Sequence, residues 1–252
     1  MTGEQFQPIS VKDPALHPWS FRLRCMVDLQ LATITRHLRP AISGMTGRIL
    51  DVGAGESPWR GWLPVGTSYV GIDVENSDEF GMAKTVADIV HYDGGVMPFE
   101  DASFEGVLCI EVLEHASDPE LLMTEISRVL ADGGRLLLTV PWSARRHHIP
   151  YDFHRFTRER LNILLCDSGF SHIVILERGT DVGTIANKLI VLNLRWLKLT
   201  AAPTWVFSAL MGLLCLPVTA AFVLLAHVSE HFDLGGTEDP LGYFVQATRT
   251  RV

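Results

Sequence analysis

Short apolar runs bounded by turn residues recur along the chain and predict the strands of a sheet. Because these runs are almost continuously apolar, they indicate strands buried on both faces of the sheet. Helical or turn segments separate them, which is the order of an α/β fold with mostly parallel strands. The predicted strands span 48–52, 68–72, 84–87, 106–110, 135–140, 172–177 and 242–248.

Capping residues mark two helices between the later strands. Asp118 is an N-cap residue followed by proline at the first helical position, and the pattern predicts a helix at Glu120–Leu130 that stops before a glycine pair. Thr157 has the same capping role for a helix predicted at Arg158–Ser168. Both helices precede predicted strands, as crossover helices of a parallel sheet do.

Apolar residues at helical spacing predict a further helix ahead of the first strand, over residues 20–39 and ending before Pro40. We therefore divide the chain into an N-terminal helical cap, residues 1–45, and one α/β domain, residues 46–252, since 252 residues form one core and no linker-like stretch interrupts them.

An apolar insertion at about 183–232 separates the last two predicted strands. Residues 199–229 contain no Asp, Glu, Lys or Arg, and Pro217 divides the run into two halves, each too short to cross a bilayer. Because the flanking strands belong to one sheet, the chain must leave and return on the same side. We expect a shallow hairpin that makes peripheral membrane contact through 199–229. A helix pair covering the protein's own core, or forming a homodimer, is the alternative.

Net charge and cysteine content limit the classes of partner and the cellular compartment that we expect for this protein. The net charge of −8 argues against nucleic acid as a partner. The four cysteines form no paired motif, and the first residues have neither a basic start nor an apolar run typical of a signal peptide. We expect a cytoplasmic protein, located peripherally at the inner face of the membrane.

A glycine-rich turn carries the candidate chemistry. The segment Leu50-Asp-Val-Gly-Ala-Gly55 ends the first strand with glycines that let the backbone approach a ligand closely. Asp73 ends the second strand, where its carboxylate can hold the hydroxyls of a ribose. NAD and S-adenosylmethionine both fit such a cradle. Since Pro58 follows and no third glycine is in register for a pyrophosphate, the pattern favours S-adenosylmethionine.

Several further motifs follow in order between residues 47 and 178. Together with the glycine-rich turn, they resemble the class I S-adenosylmethionine-dependent methyltransferases, including small-molecule members that modify sugars, quinones and lipids. The motifs are Gly71-Ile-Asp73, Ala87-Asp88, Pro98-Phe-Glu-Asp-Ala-Ser-Phe104, Glu111-Val-Leu-Glu-His115 and Glu125-Ile-Ser-Arg-Val-Leu-Ala-Asp-Gly-Gly134.

The resemblance implies a Rossmann-like sheet of seven strands, mostly parallel, with the final strand antiparallel. It also implies a cofactor site. Asp51, Gly53 and Gly55 would line the methionine part of the cofactor, and Asp73 would hold both ribose hydroxyls. Asp88 would accept from the adenine amino group, with Asp93 as the alternative. The remaining expected cofactor contacts are Ala54, Val74, Ile89, Ile110 and Glu111, of which the last two border the transferable methyl group.

Histidines are the candidate catalytic residues. His147 and His148 follow the fifth strand, and either could remove the proton of an acceptor hydroxyl. His115 follows the fourth strand and could face the methyl group, although a structural role is its alternative. Two adjacent histidines without a second ligand pair at a recognised spacing are not a metal signature, so we expect no metal site.

The sequence therefore predicts an S-adenosylmethionine-dependent O-methyltransferase. The expected acceptor is a hydrophobic or membrane-associated small molecule, such as a lipid-linked sugar or glycolipid. This choice of acceptor rests on the apolar insertion and on the run 150–157, which resembles glycan-modifying members of the family. Two alternatives remain: a non-catalytic S-adenosylmethionine-binding module for membrane or partner contact, and methylation of a quinone-type or polyketide-type acceptor.

Overall fold

The computed structural model describes residues 9–75, 89–198 and 204–250, and these build one mixed sheet with helices on both faces. The sheet has seven strands in the order β3-β2-β1-β4-β5-β7-β6. Their bounds are β1 Arg48–Val52, β2 Ser68–Val74, β3 Ile89–Tyr92, β4 Phe104–Ile110, β5 Leu130–Pro141, β6 Phe170–Arg178 and β7 Gly242–Arg249.

Strand direction agrees with the predicted topology. β1 pairs in parallel with β2 and with β4. β2 also pairs in parallel with β3, and β4 with β5. Only β7 pairs antiparallel, with both β5 and β6. The predicted Rossmann-like fold with a final antiparallel strand is therefore confirmed. The predicted strand at 84–87 lies outside the described residues.

Helices cover the two faces of the sheet and build separate apolar clusters. The described helices are α1 Pro18–Val27, α2 Leu29–Ile42, α3 Pro119–Val129, α4 Arg158–Asp167, α5 Asp181–Leu197 and α6 Trp205–Phe232. Leu122 of α3 and Leu161 of α4 pack on one face of the sheet. Leu31 and Leu38 of α2 pack on the other. The predicted N-caps Asp118 and Thr157 accept backbone N–H groups of α3 and α4.

The N-terminal segment differs from the single helix that periodicity predicts. The helix is interrupted at Asp28, whose side chain accepts the N–H of Leu31 and thereby caps α2, the second of two helices. The expected end before Pro40 is also wrong, since α2 continues to Ile42. Ile42 is fully buried in the core, and this packing outweighs the hydrogen bond that the proline removes.

The apolar insertion forms two packed helices, α5 and α6, but its division at Pro217 is wrong. α6 is continuous over 28 residues with Pro217 inside it, which makes it about 42 Å long. A stripe of small buried residues holds α6 against α5, and its close packing maintains the helix through the proline. The buried residues of α6 are Gly212, Thr219, Ala226 and Ser229.

Candidate active site

A cleft of about 480 Å³ opens at the carboxyl ends of β1, β4 and β5. In open parallel sheets ligands bind at this edge, where strand ends and loops supply the contacts. Its walls come from the N-terminal residues 9–11, the turn after β1, the segments after β4 and β5, and the helices α2 and α5. The predicted residues Asp51, Gly53, Ala54, Gly55, Ile110, Glu111, His115, His147 and His148 all line it.

The turn after β1 requires glycine at its first position. Gly53 has a φ of +66°, and a Cβ built there would lie 2.4 Å from Cγ2 of Val112, so that side chain or the backbone would have to shift. The N–H groups of Gly53 and Ala54 both donate to the carbonyl of Ile72, which ties the turn to the neighbouring strand. The bare backbone therefore forms one wall of the cleft, as a nucleoside cofactor requires.

Asp51 lies at the base of this turn, where its carboxyl accepts the hydroxyl hydrogen of Tyr69 over 2.8 Å. The side chain is 2% exposed, and burial raises the pKa of Asp51 to about 7. Desolvation is the main cause, because it penalises the charged form of the carboxyl. Asp51 therefore titrates close to neutral pH.

Asp73 stands at the end of β2 beside the glycine turn. Its Oδ2 accepts the N–H of Gly55 over 2.9 Å, and its Oδ1 accepts that of Val74. This places the acidic group predicted to hold a ribose directly against the backbone predicted to cradle the cofactor. Burial raises the pKa of the Asp73 carboxyl, while the two N–H groups oppose that shift.

The remaining predicted cofactor contacts lie further along the sheet edge. Val74 packs against the core next to Asp73, and Ile89 begins β3 opposite Gly71. Neither lines the cleft formed by the described residues. Asp88 lies outside the described residues. Its alternative, Asp93, accepts the N–H of Gly95 within a tight turn.

Glu111 is held below the cleft by an arginine that sequence reasoning missed. Nη2 of Arg178 donates to Oε1 of Glu111 over 2.8 Å, and the guanidinium is fully buried. The same guanidinium donates to the carbonyls of Tyr243 and Val140. Since Arg178 ends β6 within an alternating strand pattern, nothing in its local sequence distinguishes it from a solvent-facing residue.

Two non-glycine residues of the cleft have left-handed backbone conformations. Glu111 has a φ of +56° and His148 a φ of +51°. Such conformations cost on the order of 1–3 kcal/mol and cluster at binding and catalytic sites. Both residues follow strand ends, which is where a nucleotide-binding sheet places its functional groups.

The three candidate histidines converge on one side of the cleft. The ring centroids of His115 and His147 are 4.8 Å apart, and that of His148 lies 5.1 Å from the His115 ring. Burial lowers the pKa of His115 and of His147, which favours the neutral form of both imidazoles. A neutral imidazole can accept a proton, which is what the predicted catalytic role requires.

A buried carboxyl beneath these rings was not predicted. Glu114 is fully buried in the short helical turn after β4, and desolvation, with the nearby charge of Glu111, raises the pKa of its carboxyl. Its sequence context, between Leu113 and His115, reads as part of a family motif and does not indicate that its side chain points inward.

Comparisons with known proteins agree with this geometry. A family model described as a methyltransferase domain matches residues 50–138, which include the glycine turn, Asp73 and the turn that bears His115. Two fungal relatives are each 32% identical over 44% of this chain. They are the O-methyltransferase rstn1 of Aspergillus nomiae, of which 55% is covered, and the O-methyltransferase resE of Aspergillus sclerotiorum, of which 47% is covered.

Among solved structures, the chain resembles a SAM-dependent methyltransferase from Archaeoglobus fulgidus. The TM-score is 0.53 at 15% identity, and the match covers 92% of this chain and 100% of that one. This likeness concerns the fold. The chain spans about half the length of the curated relatives it matches.

Proposed function

We propose, since the chain belongs to the class I S-adenosylmethionine-dependent methyltransferases, that it transfers a methyl group to a hydroxyl oxygen of a hydrophobic, membrane-associated small molecule. A lipid-linked sugar or glycolipid is the acceptor class that fits best. The O-methyltransferase relatives support oxygen as the methylated atom. The observation that carries the acceptor proposal is that the apolar insertion itself lines the cleft.

The residues present fit the cofactor. The glycine turn would be filled by any side chain at Gly53, and Asp73 is held beside it for the ribose. When bound, S-adenosylmethionine supplies a methyl group already activated on a sulfonium, so the protein need only bind and orient the two reactants. Orientation of this kind contributes roughly 7–11 kcal/mol at most.

The acceptor hydroxyl needs help to lose its proton. In the proposed reaction its oxygen forms a bond to the methyl carbon, the bond from carbon to sulfur breaks with its electron pair on sulfur, and the proton passes to His147 or His148. Burial lowers the pKa of His147 and so favours its neutral ring, which can accept a proton. A positioned base contributes roughly 100- to 10,000-fold to such a rate.

Part of the cleft is lined by apolar side chains. Val11 and the α2 residues Leu31 and Ile34 line it together with Val191 and Leu194 of α5, beside the polar Gln30 and Asn187. A small polar acceptor would leave these side chains facing water, whereas a hydrophobic chain would cover them. The insertion therefore forms part of the substrate-binding wall as well as a surface element.

α6 presents an apolar surface much larger than a soluble monomer normally exposes. It is one helix that is long and apolar enough to cross a membrane, yet only 17% of its most apolar 18-residue window is buried. Its outward residues include Phe207, which is 68% exposed, and Leu214, which is 63% exposed. We therefore expect this surface of α6 to contact a bilayer or another apolar partner.

The apolar surface continues onto α1. Trp19 and Leu23 of that helix are 75% and 66% exposed, and the adjoining Met26 carbonyl contacts Nε2 of His227 on α6. α5 and α6 leave and rejoin the sheet on the same side, and Arg195 lies near the far end of α5. A charged tip disfavours perpendicular insertion, so the proposed orientation is parallel to the bilayer, with the headgroups near Arg195.

Methyl transfer is tested by supplying labelled methyl donor and this protein to lipid and glycan extracts of whole cells. Label in an organic-soluble fraction, in an alkali-stable ether linkage, is the expected result. The double variant His147→Ala, His148→Ala should lose most of the rate while retaining cofactor binding. Cofactor binding without turnover on any fraction would contradict the proposal and favour a non-catalytic module.

Membrane contact is tested separately by flotation with vesicles of zwitterionic and anionic lipids. The wild-type protein should float, and Leu213→Glu combined with Leu214→Glu should not. Val65→Glu is the matched control, because Val65 is fully exposed on a loop remote from α6. Failure of the wild type to float, together with a dimer in solution that the α6 variant dissociates, would overturn the membrane proposal in favour of self-association.

A further inference from the structure

The three histidines of the cleft form a cluster whose ring nitrogens are close enough to approach one metal ion. His115, His147 and His148 each offer one ring nitrogen, and these nitrogens lie within 4.8 Å of one another. They come from two segments, the turn after β4 and the loop after β5. No local ligand motif in the sequence reveals this cluster. The prediction of no metal site considered only the adjacent pair His147 and His148.

Hydrogen bonds determine which ring nitrogens face the centre of the cluster. Nδ1 of His115 lies 2.8 Å from the carbonyl oxygen of Tyr151, and Nδ1 of His147 lies 3.2 Å from that of Arg145. A carbonyl oxygen only accepts, so both Nδ1 atoms carry the hydrogen and both Nε2 atoms keep a lone pair. Histidines that bind metals are oriented in this way by their second nitrogen.

The two Nε2 atoms point toward one buried carboxylate oxygen. Oε1 of Glu114 lies 3.7 Å from Nε2 of His115 and 3.8 Å from Nε2 of His147. Neither oxygen of Glu114 makes a hydrogen bond within the described part of the chain, although the side chain is fully buried. Three groups that can each donate an electron pair thus face each other, and a cation or a proton between them relieves their repulsion.

The distances suit a small divalent ion. Nitrogen and oxygen ligands lie about 2.0–2.2 Å from zinc, which places tetrahedral ligands roughly 3.3–3.6 Å from one another. The separations of 3.7 and 3.8 Å from Glu114 exceed this by a few tenths of an ångström, and the histidine nitrogens lie up to 4.8 Å apart, so side-chain rotation must bring the ligands together. A proton on Glu114 would satisfy one of the two imidazoles, whereas a metal ion satisfies all the donors at once.

We infer that His115, His147 and His148, with Glu114 as the fourth ligand, bind a divalent transition metal at the acceptor side of the cleft. A set rich in imidazole selects zinc or a neighbouring transition metal over magnesium, which prefers oxygen ligands. Asp152 supports the site from outside. Its Oδ2 lies 3.6 Å from Nδ1 of His147, and Arg155 holds the same carboxylate through two hydrogen bonds.

A metal at this position would bear on the proposed methyl transfer, and this consequence rests on the proposed function. An acceptor hydroxyl coordinated to the ion would lose its proton more easily, as water bound to zinc does with a pKa of about 7. Metal binding and proton acceptance use the same Nε2 atoms of the histidines. The ion would therefore take over the activation of the hydroxyl and release the proton to solvent.

The test measures binding directly, without any acceptor. The full-length protein is stripped with a chelator and titrated calorimetrically with Zn²⁺, and then with Mg²⁺. One Zn²⁺ per chain and no detectable Mg²⁺ are expected. Co²⁺ should give the intense visible absorption of a low-coordinate site with nitrogen ligands. Absence of both signals in the wild-type protein would overturn the inference whatever the methyltransferase assay shows.

Variants then locate the ion. His147→Ala and Glu114→Gln should each weaken Zn²⁺ binding at least 10-fold, since removing a ligand or its support typically costs 10–100-fold. His172→Ala is the matched control, because His172 is exposed on β6, remote from the cleft. S-adenosylmethionine affinity, measured on the same samples, shows whether each variant is folded. Zn²⁺ binding that survives the triple variant His115→Ala, His147→Ala, His148→Ala would place the ion elsewhere and refute the assignment.

Discussion

Arg178 and Glu111 form an ion pair at the base of the cleft, with Nη2 of the buried arginine 2.8 Å from Oε1 of the glutamate, whose side chain is 24% exposed. The arginine ends β6 and the glutamate follows β4, so the pair joins two strands that are not neighbours in the sheet. Since Glu111 has a left-handed backbone and lines the cleft, Arg178 fixes the shape of the site floor.

Replacing Arg178 by methionine should destabilise the protein strongly. Breaking a buried pair leaves one charge without its partner and costs about 3–5 kcal/mol, and the partial exposure of Glu111 places this variant toward the lower end of that range. The surface pair Arg158 and Glu177 is the control, because exposed pairs contribute about 0–1 kcal/mol. Urea unfolding of both methionine variants measures the difference. Equal and small decreases in the free energy of unfolding for the two variants would show that Glu111 becomes solvated when Arg178 is removed.

Gly53→Ala should abolish cofactor binding. The new Cβ would overlap Val112, and alanine is strained at a φ of +66°. Gly66→Ala is the control: its φ is also positive, at +94°, but nothing lies within 4 Å of the added methyl. Calorimetric titration with S-adenosylmethionine should show lost binding for the first variant and normal binding for the second. Additional Val112→Ala should restore binding in part, and no restoration would show that backbone strain dominates.

Asp73→Asn should reduce S-adenosylmethionine affinity about 10- to 100-fold, since hydrogen bonds to a charged group contribute about 1.5–3 kcal/mol. The variant retains the shape of the residue but weakens its bonds to the N–H of Gly55 and to a ribose. Asp167→Asn, at an exposed position of α4, should leave the affinity unchanged. An Asp73→Asn variant with wild-type affinity would remove this residue from the cofactor site.

The stability of the protein should depend on pH through Asp51. Its pKa is about 7 in the folded protein and near 3.8 when unfolded, so between these values the folded state holds the extra proton. Folding stability contributed by this group is therefore present below pH 4 and is lost as the pH rises to 7. The difference in free energy of unfolding between wild type and Asp51→Asn should shift by a few kcal/mol over that range. A difference independent of pH would contradict the raised pKa.

The sequence predicts the sheet and the cofactor cradle well, for a physical reason. Strand ends, glycines at positive φ and helix caps are local features, so Gly53, Asp73 and Asp118 show their roles in their immediate sequence context. The sequence wrongly predicts helix breaks at Pro40 and Pro217, because packing of Ile42 and Thr219 outweighs one lost backbone hydrogen bond.

Long-range contacts account for what the sequence could not show. Arg178 meets Glu111 only after β7 has entered between β5 and β6. Glu114 meets His147 only when the loop after β5 folds back, which the donation of the Phe153 N–H to the Glu114 carbonyl enforces. No periodicity or spacing encodes either contact.

The position of β7 also has a consequence for biosynthesis. This strand fills the gap between β5 and β6, yet it follows the apolar helix pair along the chain. During synthesis the most apolar segment of the chain therefore leaves the ribosome before β7. At that stage the edges of β5 and β6 that will pair with β7 are still unpaired. Early capture of that segment, by a bilayer or a chaperone, would protect the unfinished domain from aggregation until the missing strand arrives.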